Sequence, residues 1–290
     1  MKKLLAIDAG GGSLKYGLYD NEGNVLDQGG QIAIVCDDTD MVLKSFEEAI
    51  EGYESLDGIA LSLPGVFERD TGVLIESGAI SGLMKVTNFR SMLEEKYRIP
   101  VSLENDANCA ALAEHWLGNG RDCDNLICIT IGTGIGGGII INGALHKGSH
   151  GRSGEFHGML MYPDSRALFG GTSTASIVWI ANNHTSLEIA NGKEFFDKID
   201  DPQIAKIYSQ WINNLSWGIY NLATAIDPQK VLLGGGVSVQ KRFYEDIPVQ
   251  INKIARSVCN WTVEPCFFGN DAGKIGAVYN LLTTRFGQKG

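Results

Sequence analysis

Leu4-Leu5-Ala6-Ile7-Asp8-Ala9-Gly10-Gly11-Gly12-Ser13-Leu14-Lys15-Tyr16-Gly17-Leu18-Tyr19 reads as an apolar strand, a glycine-rich turn and a second strand. The unit recurs far downstream: Ile127 to Ile131, the run Gly132-Thr133-Gly134-Ile135-Gly136-Gly137-Gly138, then Ile139 to Ile141. Glycine carries no Cβ, so such turns reach positive φ and bring bare N–H groups up to a phosphate. Two copies point to a phosphate gripped from two sides. A third glycine turn, Gly234-Gly235-Gly236, follows the short strand Val231 to Leu233.

The 290 residues exceed the usual single core and suit two compact domains with a cleft between them. No low-complexity stretch or linker marks a border, so the repeat sets it, near the end of a helix from Asp106 to Leu117 that Gly118 stops. Further helices are expected from Thr39 or Asp40 to about Tyr53, from Phe89 to Tyr97 behind an Asn88 cap, over Pro202 to Ile226, and over Gly273 to Leu282. Buried strands are expected at Gly58 to Leu63 and Val101 to Leu103. Along Pro202 to Ile226 the apolar stripe of Ile204, Ile207, Trp211, Leu215, Ile219, Leu222 and Ile226 reads as core or dimer surface.

With 24 basic and 34 acidic residues the net charge is −10, and no run of Lys or Arg suggests nucleic acid or anionic lipid as a partner. The apolar run behind Met1-Lys2-Lys3 is too short for a signal peptide or a membrane span, so a cytoplasmic protein is expected. In that setting the six cysteines read as packed thiols, and the sequons at Asn183, Asn214 and Asn260 as chance matches.

Gly132-x-Gly134-x-x-Gly137 formally matches a dinucleotide fingerprint, but a β-branched strand follows where that motif needs a helix. No Gly-x-x-x-x-Gly-Lys-Ser/Thr occurs. Asp8, at a strand end before a glycine turn, aims a carboxylate at what the turn cradles, which suits Mg²⁺ held by few carboxylates plus waters and phosphates, or it satisfies its own turn. Lys15 faces phosphate or solvent. Glu104-Asn105-Asp106-Ala107-Asn108 packs more polarity into a strand-to-helix turn than a cap needs. There the helix N-terminus keeps Asp106 ionised as a proton acceptor, and Asn105 can donate to and accept from sugar hydroxyls. His146, His150, Glu155 and His157 form a polar cluster read as hydroxyl-binding through Glu155, helped by His157, in preference to a zinc site.

Asp8-x-Gly10-Gly11, Ser62-Leu63-Pro64-Gly65, Glu104 to Asn108, Gly132 to Gly137, Gly154-Glu155 and Gly234 to Gly236, in that order, resemble the ROK family of sugar kinases over essentially the whole chain. The resemblance implies an α/β fold of two actin-like, ribonuclease-H-like domains with an interdomain cleft. Residues 1–117 would form a small N-terminal domain rejoined by a C-terminal helix at 271–290, and residues 118–270 a large one. It implies ATP and Mg²⁺ as cofactors, a homodimer, Asp106 as base, and Asn105, Glu155, Gly65, Asn88 and His157 at the sugar. Asp8, through water, would hold Mg²⁺. Gly10, Gly11, Gly12, Ser13, Lys15, Gly132, Thr133 and Gly134 would hold phosphates, and Gly234, Gly235 and Gly236 the adenosine.

Three departures stand out. Gly12 and Ser13 occupy the place where the family usually has Thr. Glu155-Phe156-His157-Gly158 replaces the usual Glu-x-Gly-His, and the Cys-x-Cys zinc cluster is absent, so no structural zinc is expected. This zinc-less pattern is similar to bacterial β-glucoside kinases, which phosphorylate a 6-hydroxyl; glucokinase-like and N-acetylhexosamine-type members share the motifs. The strand at Leu4 leaves no room for the DNA reader of the family's repressors. A non-catalytic nucleotide switch or a sugar sensor on the same core are the rival readings. Sugar choice is expected to sit in the loops 77–88 and 162–174.

Overall fold

The structure, a computed structural model, describes every residue except 69–70, 87, 162–168, 256–258 and 289–290. Its first strands, β1 (Leu4–Ala9), β2 (Ser13–Tyr19) and β3 (Val25–Ala33), run antiparallel in turn. Helix α1 (Thr39–Glu51) then crosses to β4 (Gly58–Leu63), and α2 (Phe89–Tyr97) to β7 (Val101–Asn105), both parallel to β1, completing a sheet of order β3-β2-β1-β4-β7. Between them β5 (Gly65–Phe67) and β6 (Leu74–Ser77) form a separate hairpin. After α3 (Asp106–Trp116) the pattern repeats with β8 (Leu126–Ile131), β9 (Ile135–Ile141), β10 (Ala144–Leu145), β11 (Lys230–Gly234) and β12 (Thr262–Pro265), in the order β10-β9-β8-β11-β12 and with the same strand senses. The repeated glycine hairpin is thus the seed of a repeated five-stranded sheet. Helices α4 (Thr174–His184), α5 (Gly192–Asp197), α6 (Pro202–Ile226) and α7 (Lys241–Ile254) belong to the second half, and α8 (Ala272–Arg285) closes the chain.

Both faces of each central strand are buried, and alternate residues go to different cores. In β1, Leu5 and Ile7 pack with α1 and α2, while Leu4 and Ala6 join a middle layer made by α3 and α8. In β8, Ile127, Ile129 and Ile131 pack with Phe169 and the faces of α4 to α7, and Leu126 and Cys128 turn to the same middle layer. The two helices of that layer are exchanged: α3, from the first half of the chain, lies on β8 and β9, and α8, from the end, lies on β1, β4 and β7. The border expected at residue 117 therefore follows a helix whose packing face belongs to the second sheet.

Local details depart from the sequence expectation in three places. Asp38, not Thr39 or Asp40, caps α1, its side chain accepting the Met41 N–H at 3.0 Å, and the helix stops at Glu51. Leu117 ends α3 before Gly118 is reached. Gly136, Gly137 and Gly138 lie inside β9, paired with Thr130, Ile129 and Cys128, not in the turn. Gly136 and Gly138 are small because helix α3 packs on them: a Cβ at 138 would stand 2.6 Å from that of Ala111, and one at 136 would stand 2.9 Å from that of Ala107, whereas a Cβ at Gly137 would overlap the Phe156 ring. Among the described residues no helix is long and apolar enough to cross a membrane.

Candidate active site

A cleft of about 630 Å³ opens between the two sheets, with the β1–β2 turn on one side and the β8–β9 turn on the other. Both turns close on themselves, through Gly10 N–H to Ser13 O at 3.0 Å and Gly132 N–H to Gly134 O at 3.0 Å. The first turn of α4 braces the second, donating Thr174 N–H to Gly132 O at 2.9 Å. Gly10, Gly11, Gly132, Thr133, Gly134 and Gly235 line the cleft, as do Gly65, Asn105, Asp106, Glu155 and His157. Gly235 is held at φ +88, where a Cβ would collide with the Ile131 carbonyl, so only glycine fits the start of the third turn.

Asp106 is the first residue of α3 and opens onto the cleft. Its Oδ1 accepts the Ala107 N–H at 2.9 Å, a helix N-terminal contact that favours the ionised form. Desolvation between the domains and the nearby charges of Asp8 and Glu155 outweigh it, and the carboxyl is pushed up to about 6. Asp8 is the penultimate residue of β1, with Ser62 Oγ donating to its Oδ1 at 2.6 Å. Burial raises its pKa, against the opposing effects of that hydrogen bond and of Lys15 and Lys274. Lys15 is the cross-strand register partner of Asp8, which places it beside the carboxylate, though not in the cleft wall.

Burial raises both carboxyls, and the Asp8 charge adds to the shift at Asp106, a pairing that a divalent cation fits, although Asp8 is not among the residues that line the cleft. Among the described residues no group of three or more His, Cys, Asp or Glu gathers to hold a metal, so a cation at Asp8 needs phosphate oxygens or water for its remaining ligands.

Asn105 is more engaged than its sequence position suggested. Its Oδ1 caps α3, accepting Ala107 N–H at 2.9 Å and Asn108 N–H at 3.1 Å, and its Nδ2 donates to Gly65 O at 3.0 Å. One amide hydrogen remains for a ligand. Gly65, at φ +130, is thereby tied to the start of α3. Glu155 and His157 meet at 3.2 Å, and burial raises the Glu155 pKa, with His157 opposing.

Their loop is fastened across the cleft by two ion pairs, Lys147 with the buried Glu104 and Arg152 with Glu76 at 2.7 Å. Asn88 stands apart from the cleft: its side chain accepts the Ser91 N–H at 3.0 Å and caps α2. Gly12, Ser13, Gly234 and Gly236 flank the turns without lining the cleft. Glu76 also lines it and carried no signal, since a hairpin (β5–β6) not evident in the sequence delivers it, while Ser77, Ala79 and Thr130 line it beside the expected loop and glycine turn. Of the two loops expected to set sugar choice, 77–88 reaches the cleft, whereas 162–168 lies outside the described residues.

A sequence model of the ROK family matches residues 4–284. The β-glucoside kinase of Listeria innocua is 32% identical over 290 residues, covering 97% of each chain. Among solved structures, a Listeria monocytogenes protein described as a putative N-acetylmannosamine kinase superposes with a TM-score of 0.88 at 32% identity, covering 97% of this chain and 99% of that one. A ROK family protein of Streptococcus pneumoniae, crystallised with sucrose, gives a TM-score of 0.88 at 27% identity, covering 99% and 100%.

Proposed function

The chain belongs to the ROK family, and from that premise we propose that it transfers the γ-phosphate of ATP to the primary 6-hydroxyl of a β-glucoside such as a cellobiose-type disaccharide. Its class, an ATP-dependent carbohydrate kinase, follows from those relatives; the sugar and the hydroxyl are the proposal. The observation that carries it is the position of Asp106 at the helix start between the two glycine turns, with a pKa of about 6 that leaves it ionised at neutral pH. Asp106 takes the hydroxyl proton as the sugar oxygen bonds to the γ-phosphorus, and the bond to the ADP oxygen breaks. Phosphates lie against the turns at Gly10–Gly11 and Gly132–Gly134, and the third turn runs along the adenosine. Glu155, Asn105 and His157 hold sugar hydroxyls. Asp8 would hold Mg²⁺ through water, and the ion, when bound, would supply neutralising charge on the phosphates. Domain closure excludes water and limits ATP hydrolysis.

The assay that tests this is coupled ADP release over glucose, N-acetylmannosamine, fructose, cellobiose and gentiobiose, with NMR of the product to locate the phosphate. Preference for the β-linked disaccharides and a 6-phosphate product are expected. Exclusive use of a monosaccharide would instead support a glucokinase or N-acetylhexosamine kinase, a reading favoured by the description of the Listeria monocytogenes relative. An ATPase indifferent to every sugar would indicate a nucleotide switch, and binding without turnover a sensor.

The same reading takes residues 1–117 with 271–290 and residues 118–270 as the two moving domains, in a cytoplasmic homodimer without nucleic-acid or membrane partners. Exposed indoles on packed helices, Trp179 on α4 and Trp217 on α6, support the dimer, which sedimentation equilibrium tests.

A further inference from the structure

Outside the cleft the molecule holds a second polar cavity, of about 230 Å³, built on α2, β7, α3, the end of α8 and the loop after β10. Six buried side-chain polar atoms among the described residues have no hydrogen-bond partner, and four of them belong to its walls: Arg90 Nε, Ser102 Oγ, Glu104 Oε2 and Asn108 Oδ1. Buried polar groups without partners are rare, and a concentration of them marks a place whose complement is a ligand. Glu104 Oε2 faces the Lys147 ammonium, which leaves three atoms facing no partner.

The charges in the walls are also unequal. Lys147 is paired with Glu104, Arg285 with Glu94, and the remaining carboxylate, Glu68, accepts the Thr71 hydroxyl. No hydrogen bond or ion pair among the described residues engages the Arg90 side chain. Among the described residues of the lining, three cations thus stand against two carboxylates, and one of the cations is uncommitted.

The orphans are not all donors. Asn108 Nδ2 donates to Glu104 Oε1 at 2.9 Å, which fixes the amide orientation and leaves Oδ1 as an acceptor in need of a proton. The complement of an unpaired guanidinium, an unpaired hydroxyl and an unpaired acceptor is a small anion that also carries a hydroxyl.

We propose that this cavity is a second ligand site, for hydrogen phosphate, whose oxygens take the Arg90 and Ser102 hydrogens and whose P–OH donates to Asn108 Oδ1. Sulfate has the same shape and no proton to give at neutral pH, so the site discriminates against it. The site communicates with the cleft over one peptide: Asn105 lines both cavities, and its N–H is held by Glu104 Oε1 at 3.0 Å. Nothing in the proposal depends on which sugar the cleft takes.

Isothermal titration of the full chain with inorganic phosphate, without nucleotide or sugar, tests it. Saturable phosphate binding is expected, weakened about tenfold or more by Arg90→Gln, retained in the cleft variant Thr133→Val, and at least about tenfold tighter than sulfate. Should Arg90→Gln fail to fold, Ser102→Ala, which removes a hydroxyl and little volume, carries the same expectation. Binding lost in Thr133→Val and kept in the cavity variants would place the anion in the glycine turns. Equal affinity for sulfate would remove the P–OH contact to Asn108 that defines the site, and no saturation by phosphate in the unmodified chain would leave the cavity to water. Any of these three results overturns the proposal.

Discussion

At the scale of single residues, Asp106 is where surroundings and function pull in opposite directions: it is exposed to the cleft, yet the protein packed around it and the charges of Asp8 and Glu155 favour the proton. A base must lose its proton, while the surroundings of this carboxyl favour keeping it, raising its pKa from the usual 3.8 to about 6. Turnover is therefore expected to fall about tenfold per pH unit below 6, as the base form is titrated away. Asp106→Asn should lower kcat by about a thousandfold or more with ATP affinity nearly unchanged, and substantial residual turnover would remove Asp106 from the mechanism. The stability sign follows from the same shift. A carboxyl raised in the fold contributes stability when protonated, at low pH, and that contribution is lost as pH rises through about 6. Asp106→Asn should accordingly melt higher than the parent at pH 7 to 8, with the advantage shrinking toward pH 4. Gly12 offers a gain-of-function test at the same scale. A Cβ there meets nothing within 4 Å and its φ is not positive, so neither space nor backbone demands glycine. Gly12→Thr is expected to restore a hydroxyl contact to phosphate and lower KM for ATP by up to about tenfold; an unchanged KM would show that the first turn holds phosphate through backbone alone.

Among the elements, the crossing of α3 and α8 has the least room. Gly276 on α8 lies directly against the Cys109 carbonyl of α3, and a Cβ there would overlap backbone that cannot rotate away. Gly276→Ala is expected to destabilise by about 1–3 kcal/mol, read as a lowered urea midpoint at unchanged m-value. Glu114 closes the other end of α3: fully buried, it accepts N–H groups from Phe267, Phe268 and Asn119 at 2.7, 3.0 and 3.0 Å, so α3 is tied to the loop after β12. These contacts show where sequence reading succeeds and where it stops. Gly58–Leu63, Phe89–Tyr97 and Pro202–Ile226 were legible to the residue, because period, cap and proline all act within the segment. Gly136 to Gly138 read as turn but are strand, because what makes them small packs on the strand from outside it: helix α3 at Gly136 and Gly138, the Phe156 ring at Gly137. The Glu114 clamp and the β5–β6 hairpin are settled by partners distant in the chain, which local patterns do not encode. In the site, Asp106 and the glycine turns were legible as motifs. The commitment of Asn105 to capping and to Gly65 was not, since it depends on where two loops meet.

For the whole molecule, the exchange of helices decides how the halves hold together. Each sheet, with its own outer helices, would make a self-sufficient domain, and a simple two-domain chain of this size would melt in two steps. Here the middle core draws on Leu4, Ala6 and Ala60 from the first sheet, Leu126, Cys128 and Leu232 from the second, and the α3 and α8 faces between them. Neither sheet keeps its inner face covered if the other unfolds, because the helix covering each is supplied by the opposite half of the chain. The proposed closure of the cleft would then take the form of small rotations on this shared layer, with the Arg152–Glu76 and Lys147–Glu104 pairs on the side that carries Glu155. Calorimetry is expected to show one unfolding transition, with van't Hoff and calorimetric enthalpies agreeing, that moves up as a unit when a non-hydrolysable ATP analogue and sugar are added. Two transitions in the unliganded chain would mean that the middle core does not couple the sheets. Gly276→Ala sharpens the test, since it loosens only that layer: if the coupling runs through α3 and α8, this variant should broaden or split the transition, whereas a substitution of equal cost confined to an outer core should lower it intact.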